Sequence, residues 1–171
     1  ASGDLRALIA PFAQQPLASL SAHFSGIDPA VFVAGAPQAS LDVDAVLESQ
    51  PAAVGESAAS GRLSVINRRA GTLDRQLIPV ESLQTALDWQ QNRLSFPDLT
   101  LALAGGGQLK GQGSLVNRTI ELDLVASGVD ARAMHVDLLA TRLAGPVRAQ
   151  LGGDRQTFDL DLRDAQYTVD A

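Results

Sequence analysis

The sequence predicts an all-β protein, and three observations predict it. Apolar and polar residues alternate with period two through most of the chain, and clusters of Gly, Asn and Asp separate the alternating runs. Aromatic residues make up only 4% of the 171 residues, which leaves an interior of Leu, Val, Ile and Ala. Strict alternation marks strands with one dry and one wet face. A single body over residues 1–171 is expected, with about ten antiparallel strands and almost no helix.

The first segment is the exception. Leu5, Leu8, Ile9 and Phe12 fall at i, i+3, i+4 and i+7, with Ser2 or Asp4 available as a cap. This spacing predicts a short amphipathic helix within residues 1–16, bounded by Pro11 and Pro16.

Beyond it the period is two. Leu41, Val43, Ala45 and Leu47 share one face, and so do Leu63 and Val65. Leu99, Leu101 and Leu103 form a third such row. Leu109, Gly111, Gly113 and Leu115 oppose Gln108, Lys110, Gln112 and Ser114, while Ile120, Leu122 and Leu124 oppose Thr119, Glu121 and Asp123. Phe158, Leu160 and Leu162 close the series against Asp159 and Asp161. Turn signals lie between the runs at Gln91-Asn-Arg93, Gly105-Gly-Gly107, Asn117-Arg118 and Gly152-Gly-Asp154. Glu81–Gln90 fits a strand and a helix about equally, Val129–Met134 suits a helical turn, and the sparse stretch 50–60 is expected to be a mobile loop.

The stretch GGGQLKGQG, residues 105–113, raises the question of a phosphate cradle. A dinucleotide fingerprint starting at Gly105 would need glycine where Lys110 stands, and no glycine precedes Lys-Ser or Lys-Thr as a P-loop requires. An extended run follows rather than a helix whose free amides could meet an anion. The glycines therefore read as a hairpin bend. Gly111 and Gly113 sit on the dry face of the next strand, where glycine signals a close approach to the backbone.

Net charge is −6, with no basic stripe, so nucleic acid is not an expected partner. Cysteine is absent, and the two histidines, His23 and His135, have no neighbours at metal spacing. No metal or cofactor is expected. Neither G-x-S-x-G nor H-E-x-x-H occurs, and the pairs Asp42/Asp44, Glu121/Asp123 and Asp159/Asp161 fall at i, i+2 on wet faces. Asn117-Arg-Thr119 has the form of a glycosylation sequon but suits a tight turn. An enzyme is not expected. No run of 18 apolar residues is present, so no helical membrane span is expected. The start at Ala1, without a secretory n-region, suggests a piece of a longer protein.

What remains is one long aliphatic face. A dozen Leu, Val and Ile side chains represent roughly 20–35 kcal/mol of burial, so a second sheet, a helix or a ligand must cover them. A sheet curled over on itself would leave a greasy trough, in which a sixteen-carbon acyl chain recovers about 13 kcal/mol. The expected lining is Leu63, Val65, Leu101 and Leu103, then Leu109, Leu115, Ile120 and Leu122, with Leu124, Leu160 and Leu162 beyond. Gly111 and Gly113 would widen the trough or admit a tail near the backbone.

The ordered series GRLSVINRRAGTLDRQLIPVESLQTAL, LSFPDLTLALAGGGQLKGQGSLV and IELDLVASGVDARAMHVDLLATRLAGPVRAQL resembles the repeats of the TamB family, a component of the translocation and assembly module. Phe24–Phe32, FSGIDPAVF, is similar to a recurring Gly-x-Asp-Pro element there. The resemblance runs from about Leu17 to Leu162 through soft motifs: Leu99-x-Leu101-x-Leu103, the glycine hairpin, Asn67, and Thr141-x-Leu143-x-Gly145. It implies a taco-like β-groove in a periplasmic protein of Gram-negative bacteria, tethered to the inner membrane by a helix outside this fragment. It also implies phospholipid acyl chains as cargo. The implied partner is an Omp85-type outer-membrane barrel, met through parts outside this fragment. A chaperone role for outer-membrane proteins is the alternative, and free edge strands would allow the fragment to self-associate.

Overall fold

The alternating runs become one antiparallel meander. The computed structural model describes residues 1–9, 17–32, 35–50, 58–152 and 155–164. Its strands are β1 (Ser2–Ile9), β2 (Leu17–Ile27), β3 (Leu41–Gln50), β4 (Ala58–Asn67), β5 (Val80–Gln90), β6 (Arg93–Leu103), β7 (Gln108–Val116), β8 (Thr119–Val129), β9 (Leu143–Gly152), β10 (Arg155–Leu160) and β11 (Arg163–Asp164). They form one 11-stranded sheet in which β1 to β10 pair in sequence order and β11 returns to β9. Every strand pair is antiparallel. A lone parallel bridge, Gln38 to Leu77, ties two loops. β1 and β10 end the series without pairing to each other, so the sheet is curled but not closed.

Two expectations are corrected. Residues 2–9 are a strand rather than the helix expected within 1–16; residues 10–16 lie outside the described residues. An isolated helix this short is marginal in water. Pairing with β2 gives the same residues a full ladder, with Leu5 opposite Ala22 and Ala7 opposite Leu20. Of the loop expected over 50–60, Gln50 instead ends β3 and Ala58–Ser60 begin β4; residues 51–57 lie outside the described residues. The ambiguous segment 81–90 is strand β5, and the helical turn expected near Val129 is α1 (Ala131–Met134). The triple glycine joins β6 to β7.

Bulges keep the faces in phase. In β6 the pairing jumps from Phe96–Gly113 to Leu99–Gly111, so Pro97 and Asp98 together oppose Gln112. Proline cannot donate to a ladder, and a central strand tolerates it at such a bulge. The extra residue puts Phe96 and Leu99 on the same side although three positions separate them. Similar bulges interrupt β2–β3 between Phe24 and Ile27, and β8–β9 between Ala126 and Val129.

Those last two bulges belong to an internal repeat. Gly26 and Gly128 hold φ of 68° and 62° in them, a left-handed conformation that suits glycine. Asp28 and Asp130 follow. The Asp28 Oδ1 accepts from Ala30 N (3.1 Å) and Ala39 N (3.2 Å), and the Asp130 Oδ1 from Arg132 N (3.0 Å) and Thr141 N (3.1 Å). Each of these positions is offset by 102 residues (128 − 26), and β2/β3 superpose on β8/β9 in sequence without a gap. Each Asp caps a short helical turn and pins the far end of its loop, so both loops are held by one device.

The packed core lies along the rim where the long connections run. Leu103, Ala126 and Val129 are buried there, with Val80, Leu109, Met134, Leu143, Val147 and Leu162 against them. Asn67, also buried, anchors the same rim. Its Oδ1 accepts from Ser40 N (3.2 Å) and Arg69 N (3.0 Å), and its Nδ2 donates to Ile78 O (3.3 Å) and Val80 O (3.0 Å). Among the described residues no large side chain is below 2% exposure. A sandwich with two packed layers would contain several.

Candidate functional site

Register places the expected lining on one side of the sheet. One row across the ladder runs Phe24, Val43, Val65, Leu83, Leu101, Leu109, Ala126. A second runs Leu99, Gly111, Leu124, Val147, Leu160, and a third Leu94, Leu115, Ile120, Leu151. Leu63 stands opposite Ala45 and Thr85, and Leu122 opposite Gly113 and Ala149. The apolar face is therefore continuous from β2 to β10.

Its cover differs along its length. Leu103 and Leu124 are buried, and Leu162, just beyond β10, packs into the core cluster. Leu63, Val65, Leu101, Leu109, Leu115, Ile120 and Leu122 are half-buried, while Leu160 is exposed. The close approach expected at Gly111 and Gly113 is made by the protein itself. A Cβ at Gly111 would lie 2.1 Å from the Asp123 carbonyl oxygen, and one at Gly113 would lie 2.6 Å from the Leu122 Cδ2. Any side chain at Gly111 would push β8 away, so this glycine permits strands β7 and β8 to crowd on the apolar face.

The opening lies at the opposite rim, where tight hairpins connect β5 to β6 and β7 to β8. A cavity of about 740 Å³ is lined by Leu47, Trp89, Asn92, Leu94, Leu115, Asn117 and Arg118. Leu47 is on β3 and Leu115 on β7, four strand steps away. A flat sheet would separate them by roughly 19 Å. Their shared cavity is a consequence of the curl. Its volume falls within the ~300–1,000 Å³ typical of small-molecule sites. Asn92 Nδ2 donates to Asn117 Oδ1 at 2.7 Å, so the β5–β6 and β7–β8 turns are tied together. Asn117 and Arg118 both hold positive φ, 49° and 68°. A two-residue turn of this kind favours Asn-Gly, and an ordinary side chain in the second place costs about 1 kcal/mol.

The other face is mainly polar, with Val46, Ile66 and Val125 exposed on it. His23 Nδ1 lies 2.6 Å from the Asp44 Oδ1, and Ser25 Oγ lies 3.3 Å from His23 Nε2. The hydrogen bond to Asp44 and that carboxylate's charge raise the His23 pKa above its ordinary 6.5. This is the order of groups in a serine-nucleophile relay. It stands on an open sheet, however, and the adjacent Gly26 amide already donates to Asp42 Oδ1 at 3.1 Å. Asp42 also accepts from Arg68 Nε; that bond, followed by the Gly26 amide, lowers its pKa below the ordinary 3.8. Sequence reading missed the His23–Asp44 pair because its partners lie 21 residues apart and meet only through the β2–β3 register.

Among the described residues no group of three or more His, Cys, Asp or Glu could hold a metal, and no helix is long and apolar enough to cross a membrane. No protein-family model, curated protein or solved structure matches the chain.

Proposed function

We propose that this chain is a segment of a periplasmic lipid conduit, in which the apolar face carries phospholipid acyl chains between the inner and outer membranes. The reading joins the resemblance to the TamB family with one structural observation. A mostly aliphatic face crosses an unclosed sheet and opens, at the hairpin rim, into the 740 Å³ cavity. Tails lie across the strands, and heads remain in water at the seam. The role is transport rather than catalysis. At a strand spacing of ~4.8 Å, ten strands give about 50 Å of trough, so the fragment is one length of a longer track.

Native mass spectrometry of the purified chain tests this reading. Co-purified phospholipid is expected, and Leu122→Arg, which puts a charge on the half-buried face, should remove it without unfolding the chain. A lipid-free parent chain that also takes up no added phospholipid would refute the conduit.

A second reading rests on a different observation: β1 and β10 each leave one long side unpaired among the described residues. Such edges suit strand addition, as in a chaperone for outer-membrane proteins working with an Omp85-type barrel. Binding of extended strand peptides without lipid uptake would favour it.

A further inference from the structure

Among the described residues, one charge lines the cavity at the hairpin rim. Leu47, Trp89, Leu94 and Leu115 form its apolar part, Asn92 and Asn117 its polar edge, and Arg118 the only ionised side chain among the described lining residues. In a chain of net charge −6, the lining includes no carboxylate among the described residues. Among the described residues the Arg118 guanidinium has no hydrogen-bond or ion-pair partner, whereas Arg68 and Arg148 are paired with Asp42 and Asp123. Arg118 also occupies the left-handed turn position where glycine would be relaxed. Trp89, 39% exposed, lies at the same mouth, an aromatic of the kind that settles between hydrocarbon and water.

We propose that this rim is a headgroup site for an anionic phospholipid: the Arg118 guanidinium holds the phosphodiester oxygens and the acyl chains enter between Leu94, Leu115 and Leu47. A planar guanidinium matches phosphate oxygens in a bidentate fashion. Asn92 and Asn117 bond to each other and so fix the turn that aims Arg118. This inference rests on the conduit reading and adds to it where a lipid is held and which head is preferred. Phosphate and hydrocarbon are recognised a few residues apart, which commits the site to a lipid rather than to free phosphate.

Arg118→Gly is the informative variant, because glycine relaxes the turn and the thermal midpoint should not fall. Binding of fluorescent phosphatidylglycerol and of diacylglycerol with the same chains is measured for parent and variant. The expected result is about a tenfold weaker affinity for phosphatidylglycerol in the variant, unchanged diacylglycerol binding, and no displacement by inorganic phosphate. If both lipids bind equally well to parent and variant, the headgroup site is wrong and the conduit stands. If the parent binds neither lipid, both readings fail. Inorganic phosphate that binds alone, and displaces the lipid, would also overturn the site.

Discussion

The two rims of this sheet are built from the same strands and behave as opposites. At one, long connections fold back over the apolar face. Asp28, Asn67 and Asp130 satisfy the loop backbone, and Leu103, Ala126 and Val129 are sealed beneath Met134 and Leu162. At the other, Gln91-Asn92 and Asn117-Arg118 each reverse the chain in two residues, and the same face ends in a cavity. The packed cluster lies among the hydrogen-bonded long connections, and the cavity lies beside these two tight turns. A long loop whose backbone is hydrogen-bonded can serve as a lid, whereas a tight turn leaves the strand ends bare. Stability should therefore concentrate at the first rim and ligand uptake at the second.

The largest way to break that division is Leu103→Asp, which buries an unpaired carboxylate in the packed cluster; a loss of about 3–5 kcal/mol or outright unfolding is expected in urea denaturation. Asn67→Ala removes an amide that serves two loops, and about 2–4 kcal/mol should follow. Leu115→Ala, at the open rim, should cost only about 1 kcal/mol by the same measurement while clearly weakening lipid uptake. An equal stability loss at Leu103 and Leu115 would erase the contrast between the rims.

Smaller effects come from the polar face. The raised His23 pKa stabilises the fold fully below pH 6.5, and that contribution disappears as pH rises through the folded value. Asp44→Asn should flatten this slope in urea midpoints taken from pH 5 to 9. Asp42 acts with the opposite sign: its lowered pKa contributes above 3.8 and is lost as pH falls through the folded value, so Arg68→Gln should blunt the acid transition. Smallest of all, Arg118→Gly should leave stability within about 1 kcal/mol of the parent, on the stabilising side.

Most strands are legible in the sequence because alternation is a direct record of a two-sided environment. Leu99-x-Leu101-x-Leu103 and Ile120-x-Leu122-x-Leu124 need no tertiary information to be assigned. Residues 2–9 are not legible, since Leu5, Leu8 and Ile9 satisfy the helical period and only the neighbouring edge of β2 decides for a strand. The candidate lining is legible as a face, yet its cover is not. Leu103 and Leu115 look alike in sequence and differ through connections that fold over one end. The cavity mouth at Trp89, Asn92 and Arg118 depends on curl, which no local pattern records, though Asn117-Arg118 in place of Asn-Gly is a visible signal. The 102-residue repeat, Ser25-Gly-Ile-Asp28 against Ser127-Gly-Val-Asp130, is also visible and marks the matching loops.

Photo-crosslinking from single positions in intact cells tests the central claim most directly, namely that one side of this sheet accepts hydrocarbon. Leu115 and Leu122 lie on the apolar side, while Val125, 60% exposed, points away from it. Phospholipid adducts from Leu115 and Leu122 but not from Val125 are the predicted result. Equal labelling from all three positions, or adducts to protein alone from Leu115 and Leu122, would contradict it.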